Sequence, residues 1–277
     1  MPIFDGCMLV SDIDGTLYAD GKIQKGNSEA IERFKSLGGI FTIATGRGPA
    51  LAKIICRESR ANAPVITVNG SVLYDAENEK ILIADYLSES VKKMIYDATV
   101  TFPDVGLEIT LDSSVAVINS TKTSSDYVKE KRSAETYNRY FEKPENIENL
   151  NILKVLFMTD NADLLEQLKQ FVYARKTDEF TYVNSSTEFF EILTPGTTKA
   201  KYLYRLADMM NINHSNVFTI GDYYNDLDMI EKAAVGACVA ESPDDIKEKS
   251  DYVATSVYNG AVADFINYLE KMRERKK

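Results

Sequence analysis

A chain of 277 residues, 44% hydrophobic and 27% charged, with 14 Gly and 7 Pro, has the composition of a folded globular protein and the length for one large domain or two modest ones. Its net charge of −10 speaks against a nucleic-acid partner and an anionic membrane surface, both of which need clustered Lys and Arg. No run approaches the ~18 apolar residues of a membrane span, and Asp5 and Asp12 stand where a secretion signal would be basic and then apolar, so we expect a cytoplasmic protein.

Short apolar runs bounded by turn residues recur at CMLVS (7–11), GIFTIAT (39–45), PVITV (64–68), NVFTI (216–220) and AVGACV (234–239), and each reads as a buried parallel strand. Helical spacing falls between and after them. Ile31, Phe34 and Leu37 share a face behind Asn27 and Ser28 and stop at Gly38 and Gly39. Leu203, Leu206, Ala207 and Met210 repeat the spacing, as do Val262, Phe265, Ile266, Leu269 and Met272. This alternation predicts an α/β fold, a doubly wound, mostly parallel, Rossmann-like sheet.

The middle of the chain breaks that rhythm. Residues 105–119 predict two strands joined at Asp112, Ser113 and Ser114, with further strands at KVLFMTD (154–160) and EFFEIL (188–193). An amphipathic helix carrying Leu164, Leu165, Leu168, Phe171 and Val172 follows Asp160 and Asn161. We therefore place an inserted α+β domain at 85–192 within a core made of 1–84 and 193–277. The basic cluster KMRERKK (271–277) reads as the solvated end of the last helix. Cys7, Cys56 and Cys238 form no C-x-x-C pair and fit ordinary burial in a reducing compartment.

Chemistry gathers at the strand ends. In LVSDIDGT (9–16), Asp12 and Asp14 follow the first apolar run two residues apart; side chains at i and i+2 of a strand face one way, so two ionised carboxylates there call for a cation or a shared proton. A calcium loop starting at Asp12 fails, because Leu17 and Ile23 occupy the places of its glycine and glutamate. A turn in which the aspartates bond local amides stays open. GIFTIAT leads into Gly46, Arg47 and Gly48, so Thr45 offers a hydroxyl and the following residues free N–H groups near a helix start, a setting for an anion. NVFTI leads into GDYYNDLD (221–228), which carries Asp222, Asn225 and Asp226. Lys199, behind Thr197 and Thr198, reads as part of a helix's first turn. Singly each has a plainer reading: Thr45 as a strand residue, Lys199 as a surface lysine, Asp226 and Asp228 as helix-start residues. Their shared position at strand ends, where open α/β sheets bind ligands, favours a metal-plus-phosphate pocket.

Taken in order, DIDGTL (12–17), ATGR (44–47), Lys199 and GDYYNDLDMI (221–230) resemble the four motifs of the haloacid dehalogenase superfamily, and within it the Cof-like phosphatases. VNG (68–70), DYVATS (251–256) and NGAV (259–262) also resemble Cof-like stretches, and the insertion has the size and position of that group's cap. The resemblance implies a hydrolase of phosphoric monoester bonds acting on small phosphomonoesters, sugar phosphates foremost. Asp12 would be the nucleophile that forms an aspartyl-phosphate, and Asp14 the acid and then the base. Mg²⁺ would lie on Asp12, the Asp14 carbonyl and Asp222, with Asp226 in support. Thr45, Gly46, Lys199 and Asn225 would hold the phosphate. A phosphomutase shares that intermediate and stays open. A phospho-accepting regulatory domain would need an aspartate where Asn69 and Gly70 stand. The chain departs from the family at Ala240, Glu241 and Ser242, where glycine, asparagine and alanine are common, and at Tyr223 and Tyr224, which either wall the pocket or pack against the cap. The only histidine, His214, reads as a loop residue.

Overall fold

The structure, a computed structural model, describes residues 2–121, 139–175, 177–183 and 187–275. The chain forms two compact units: one of Met1–Arg47, Ala52–Leu82 and Thr198–Lys277, the other of Gly48–Leu51 and Ile83–Thr197. In chain order the elements are β1 (Met8–Ser11), β2 (Tyr18–Ala19), β3 (Lys22–Ile23), α1 (Asn27–Ser36), β4 (Ile40–Ile43), α2 (Pro49–Ser59), β5 (Val65–Thr67), β6 (Val72–Asp75) and β7 (Lys80–Ala84). The second unit continues with α3 (Glu89–Thr101), β8 (Gly106–Thr110), β9 (Val115–Ile118), β10 (Arg139–Phe141), β11 (Lys154–Met158), α4 (Ala162–Tyr173), β12 (Thr181–Val183) and β13 (Phe189–Leu193). The chain then returns through α5 (Leu203–Met209), β14 (Val217–Gly221), α6 (Leu227–Lys232), β15 (Val235–Cys238), α7 (Asp244–Lys249), β16 (Tyr252–Val253) and α8 (Ala261–Glu274).

The larger unit is built on a five-stranded sheet of order β16-β15-β14-β1-β4, parallel throughout. From β1 the chain steps to β4 on one side, and after the insertion it returns to β14 on the other. Strand order thus reverses beside β1, and the crevice outside the carboxyl ends of β1 and β14 is the place where such sheets bind ligands. The register Ser11↔Ile220 and Ser11↔Ile43 puts the residues after β1, β14 and β4 at one level. Every residue of β1 and β14 is buried, as strands covered on both faces must be, which is why their sequences read as near-continuous apolar runs, with only Ser11 and Thr219 polar. Helix α1 buries Ala30, Ile31 and Phe34, and Phe34 stacks at 4.5 Å on Phe4. Helix α8 buries Val262, Phe265, Ile266 and Leu269; its amide at Ala263 donates to the side chain of Asn27 at 3.0 Å, so the first helix caps the last.

The run 64–68 is buried and meets the parallel sheet through the isolated parallel bridge Ala44↔Ile66. The same strand, β5, also pairs antiparallel with β6 in a separate sheet of order β5-β6-β7, a pairing the apolar run does not announce.

The second unit has a six-stranded sheet of order β10-β9-β8-β11-β13-β12, antiparallel except for β9 with β10. Alternation sorts its side chains. Leu107, Ile109, Ala116, Ile118, Val155, Phe157, Phe190 and Ile192 turn to one face and pack with Val91, Ile95, Ala98, Leu165, Leu168 and Val172 of α3 and α4. On the other face Lys154 pairs with Glu191 at 3.2 Å. Asn161 caps α4 by accepting from Leu164 N, and Ser88 caps α3 by accepting from Val91 N. Residues 184–186, just ahead of the strand read at EFFEIL (188–193), lie outside the described residues. No helix among the described residues is long and apolar enough to cross a membrane, and Cys7, Cys56 and Cys238 are free and buried.

Candidate active site

Asp12 follows β1 directly and is 4% exposed; its amide is held by Ile220 O at 2.9 Å, an extension of the β1–β14 ladder. Lys199, 1% exposed, places Nζ 2.5 Å from Asp12 Oδ1 and 2.5 Å from Asp226 Oδ1. Asp12, Asp222 and Asp226 bring carboxyl oxygens within 4.8 Å of one another. The loop between β14 and α6 makes this possible. Asp226 turns back so that its Oδ2 accepts from the amides of Asp222 (3.0 Å) and Tyr223 (3.3 Å), leaving Oδ1 for the lysine.

Two glycines leave room for the cluster. A methyl on Gly221 would lie 2.4 Å from Asp226 Cβ, and one on Gly15, whose φ is +90°, would lie 2.5 Å from Asp222 Oδ2. Both contacts are too short for any side chain. Thr16 Oγ1 donates to Asp222 Oδ1 at 3.4 Å. Gly15 and Thr16 lie inside a motif read from the sequence, yet their supporting parts depend on contacts with Asp222, 206 residues beyond Thr16, and were not legible there.

Lys199 stands in a turn ahead of α5, not in a helix's first turn. Thr198 Oγ1 donates to Asp228 Oδ2 at 2.5 Å, and Asp228 also pairs with Lys232 at 2.7 Å, so the segment entering Lys199 is anchored to α6. That is the work of Asp228.

Three carboxylates and one ammonium leave a buried excess of negative charge. Burial, opposed by the charge of Lys199 and aided by those of Asp226 and Asp14, leaves the Asp12 carboxyl pushed up to about 7. Burial, then the charges of Asp12 and Asp226, push Asp222 up to about 8. For Lys199 burial pulls downward, but the two aspartates outweigh it and hold the ammonium above its ordinary range. All-oxygen donors carrying more negative charge than one lysine offsets fit a hard divalent cation.

Asp14 is placed differently from the expectation of two carboxylates on one strand face. Strand β1 ends at Ser11, and Asp14 lies past it in an isolated bridge with Tyr18. Its carboxylate is exposed and held by both arms of Arg47, Nε to Oδ2 at 2.8 Å and Nη2 to Oδ1 at 2.5 Å. The three-carboxylate cluster therefore draws on Asp12, Asp222 and Asp226, without the Asp14 side chain. After β4, Thr45 is buried; its N–H donates to Ile66 O at 2.9 Å and its hydroxyl accepts from Arg47 N at 3.1 Å, which curls the chain through Gly46. Asn225 is exposed in the loop that also carries Asp222 and Asp226.

Tyr223 and Tyr224 are 55% and 51% exposed, meet edge to face at 4.9 Å, and Tyr224 donates its hydroxyl to Asp245. Glu241 accepts from Ser256 Oγ and from Val257 N at 3.1 Å, so it braces the turn before α8. His214 stacks on Tyr204 at 4.3 Å and pairs with Asp208 at 2.7 Å.

Comparison with known proteins gives a matching context. Residues 9–266 match the family model described as haloacid dehalogenase-like hydrolase. A 5-amino-6-(5-phospho-D-ribitylamino)uracil phosphatase of Bacillus subtilis is 29% identical over 278 residues, covering 93% of this chain and 96% of that protein. A second protein of the same name from that organism is 25% identical, covering 94% of each. Among solved structures, a haloacid dehalogenase-like hydrolase from Bacteroides thetaiotaomicron superposes with a TM-score of 0.84 at 21% identity, over 96% of this chain and 99% of the other, and so shares its fold.

Proposed function

Because the chain belongs to the haloacid dehalogenase-like hydrolases, we propose that it is a Mg²⁺-dependent phosphatase that hydrolyses small phosphomonoesters through an aspartyl-phosphate on Asp12. The observation that carries this reading is the buried Lys199 between Asp12 and Asp226, beside Asp222, where strand order reverses.

An aspartate approaching a phosphate dianion is repelled, so attack needs positive charge in place beforehand. Lys199 supplies one such charge from within the protein. A divalent cation held by Asp12, the Asp14 carbonyl and Asp222, with Asp226 in support, would add the rest and neutralise charge on the phosphoryl oxygens. Thr45, Gly46, Lys199 and Asn225 orient the phosphate. Asp12 attacks phosphorus, the ester oxygen departs with a proton from Asp14, and an acyl phosphate remains on Asp12. Asp14 then takes a proton from water as that water attacks phosphorus, which frees phosphate and restores the Asp12 carboxylate. The Arg47 fork takes one lone pair on each Asp14 oxygen and leaves the second open for a proton.

We assign this chemistry to the unit of residues 1–84 and 193–277 and substrate choice to the inserted residues 85–192 as a cap. The relatives named above direct the substrate search toward phosphorylated polyols. The expected setting is the cytoplasm, with no nucleic-acid or membrane partner. The test is Mg²⁺-dependent release of phosphate from a panel of sugar, polyol, nucleotide and cofactor monoesters, with Asp12→Asn beside the parent. Release that stops with chelator and in the variant supports the reading. Isomerised sugar phosphate without free phosphate would replace it with a mutase, and no turnover of any ester would end it.

A further inference from the structure

Residues 68–70 adopt a backbone shape that side-chain-bearing residues avoid. Val68, Asn69 and Gly70 have φ of 52°, 53° and 102° in succession. For β-branched Val68 this region is a true outlier, and such strain persists only where the surroundings enforce it. The turn carries a second unfavourable feature: Asn69 Oδ1 is buried and has no hydrogen-bond partner among the described residues. Neither feature helps the chain to fold.

What surrounds the turn explains why it persists. Asn69 N donates to Thr45 O and Val68 N donates to Arg47 O, each at 3.0 Å, so the turn is bonded to both ends of the Thr45–Arg47 loop. The Asn69 amide lies against the middle of that loop: a methyl on Gly46 would meet its Oδ1 at 2.9 Å and its Nδ2 at 3.3 Å. On its other side the turn presses on the segment that carries Lys199. A methyl on Gly70 would overlap Thr198 O at 1.9 Å and meet Lys199 N at 3.4 Å. Thr198 cannot retreat freely, since its hydroxyl is tied to Asp228. One strained turn therefore touches both elements that hold the phosphate in the proposal above.

We infer that Asn69 is a positioning residue, and that the Val68–Asn69–Gly70 turn is a spacer fixing the distance between the Thr45–Arg47 loop and Lys199. The amide of Asn69, packed against Gly46, holds that loop in its shape. The catalytic consequence rests on the phosphatase reading; the mechanical role does not.

The test is Asn69→Gly, because glycine takes this backbone shape without strain while the amide is lost. Three quantities are compared with the parent: the thermal midpoint, KM and kcat for the best ester of the panel, and amide hydrogen exchange at residues 45–47 and 198–199. A spacer predicts an equal or higher midpoint, a KM raised about tenfold with kcat changed much less, and exchange faster by about tenfold in both segments with β1 and β14 unaffected. A lowered midpoint with unchanged KM and unchanged exchange would mean that Asn69 only joins β5 to β6, and would overturn the inference. A parent that releases no phosphate would defeat the phosphatase reading, and the exchange comparison would still decide the spacer.

Discussion

Replacing Lys199 by methionine tests how the site is held together. The side chain is 1% exposed, so methionine fills most of its volume and leaves little cavity. The electrostatic loss is large. Asp12 and Asp226 each lose a partner at 2.5 Å, and three mutually close carboxylates keep no buried cation. Exchanging a whole buried ion pair for apolar groups is often neutral, but removing one member strands the other and costs about 3–5 kcal/mol. At this chain length that cost lowers the thermal midpoint by about 10 °C. The assay is calorimetry of parent and Lys199→Met at neutral pH in chelator, then with excess Mg²⁺. In chelator the variant should melt about 10 °C lower and should recover in mild acid, where its stranded carboxylates take up protons; Mg²⁺ should stabilise it more than it stabilises the parent. Phosphate release should fall by about 10²–10³-fold. An unchanged midpoint in chelator would refute the reasoning, since it would show that Lys199 does not offset the charge of the cluster.

The raised carboxyls give a pH dependence of defined sign. An unfolded aspartate releases its proton near 3.8, whereas Asp12 and Asp222 hold theirs to about 7 and about 8, so between these limits the folded protein binds more protons and its stability without divalent cation falls as pH rises. Melting in chelator across that window should show the fall, with a Mg²⁺-dependent gain that grows with pH; a rising midpoint in chelator would contradict it. Gly221→Ala sets a methyl 2.4 Å from Asp226 Cβ, and should displace that carboxylate, lower stability by about 1–3 kcal/mol and reduce phosphate release by at least tenfold. A variant as active as the parent would show that Asp226 needs no fixed place. Glu241→Gln weakens the brace on Ser256 and Val257 and should cost about 1 kcal/mol in denaturant titrations while leaving Mg²⁺ affinity unchanged. A shifted affinity would place Glu241 at the metal instead.

The strands that carry the site were legible because burial on both faces forces near-continuous apolar runs, and NVFTI and CMLVS became β14 and β1 with little shift of their ends. The same signal at 64–68 marked a buried strand whose bridge to Ala44 is parallel, but not its antiparallel pairing with β6. The positions of Asp12, Asp222 and Asp226 followed from strand ends and spacing, and that of Lys199 from the family resemblance. The orientation of Asp14 did not, because Arg47, which grips it, lies 33 residues away. Lys199 looked helical since local propensity favours that; a bond from Thr198 to Asp228 and the close approach of Gly70 hold it in a turn. Gly15 and Asn69 matter through what they nearly touch far along the chain, and no local pattern records such contacts. Short pieces such as β2 and β3, two residues each, carry no periodicity to read.

The central claim, that phosphate passes through Asp12, is tested most directly with Asp14→Asn and p-nitrophenyl phosphate. This ester's leaving group departs without help from an acid, so the first step needs Asp12 and the bound metal while the second still needs Asp14 as base. In the presence of Mg²⁺, the variant is predicted to release a burst of about one nitrophenol per chain and then stall. Acid quenching and peptide mass analysis should then find one phosphoryl group on the peptide that contains Asp12. A variant that gives neither burst nor adduct while the parent turns over, or an adduct on any other residue, would contradict the account.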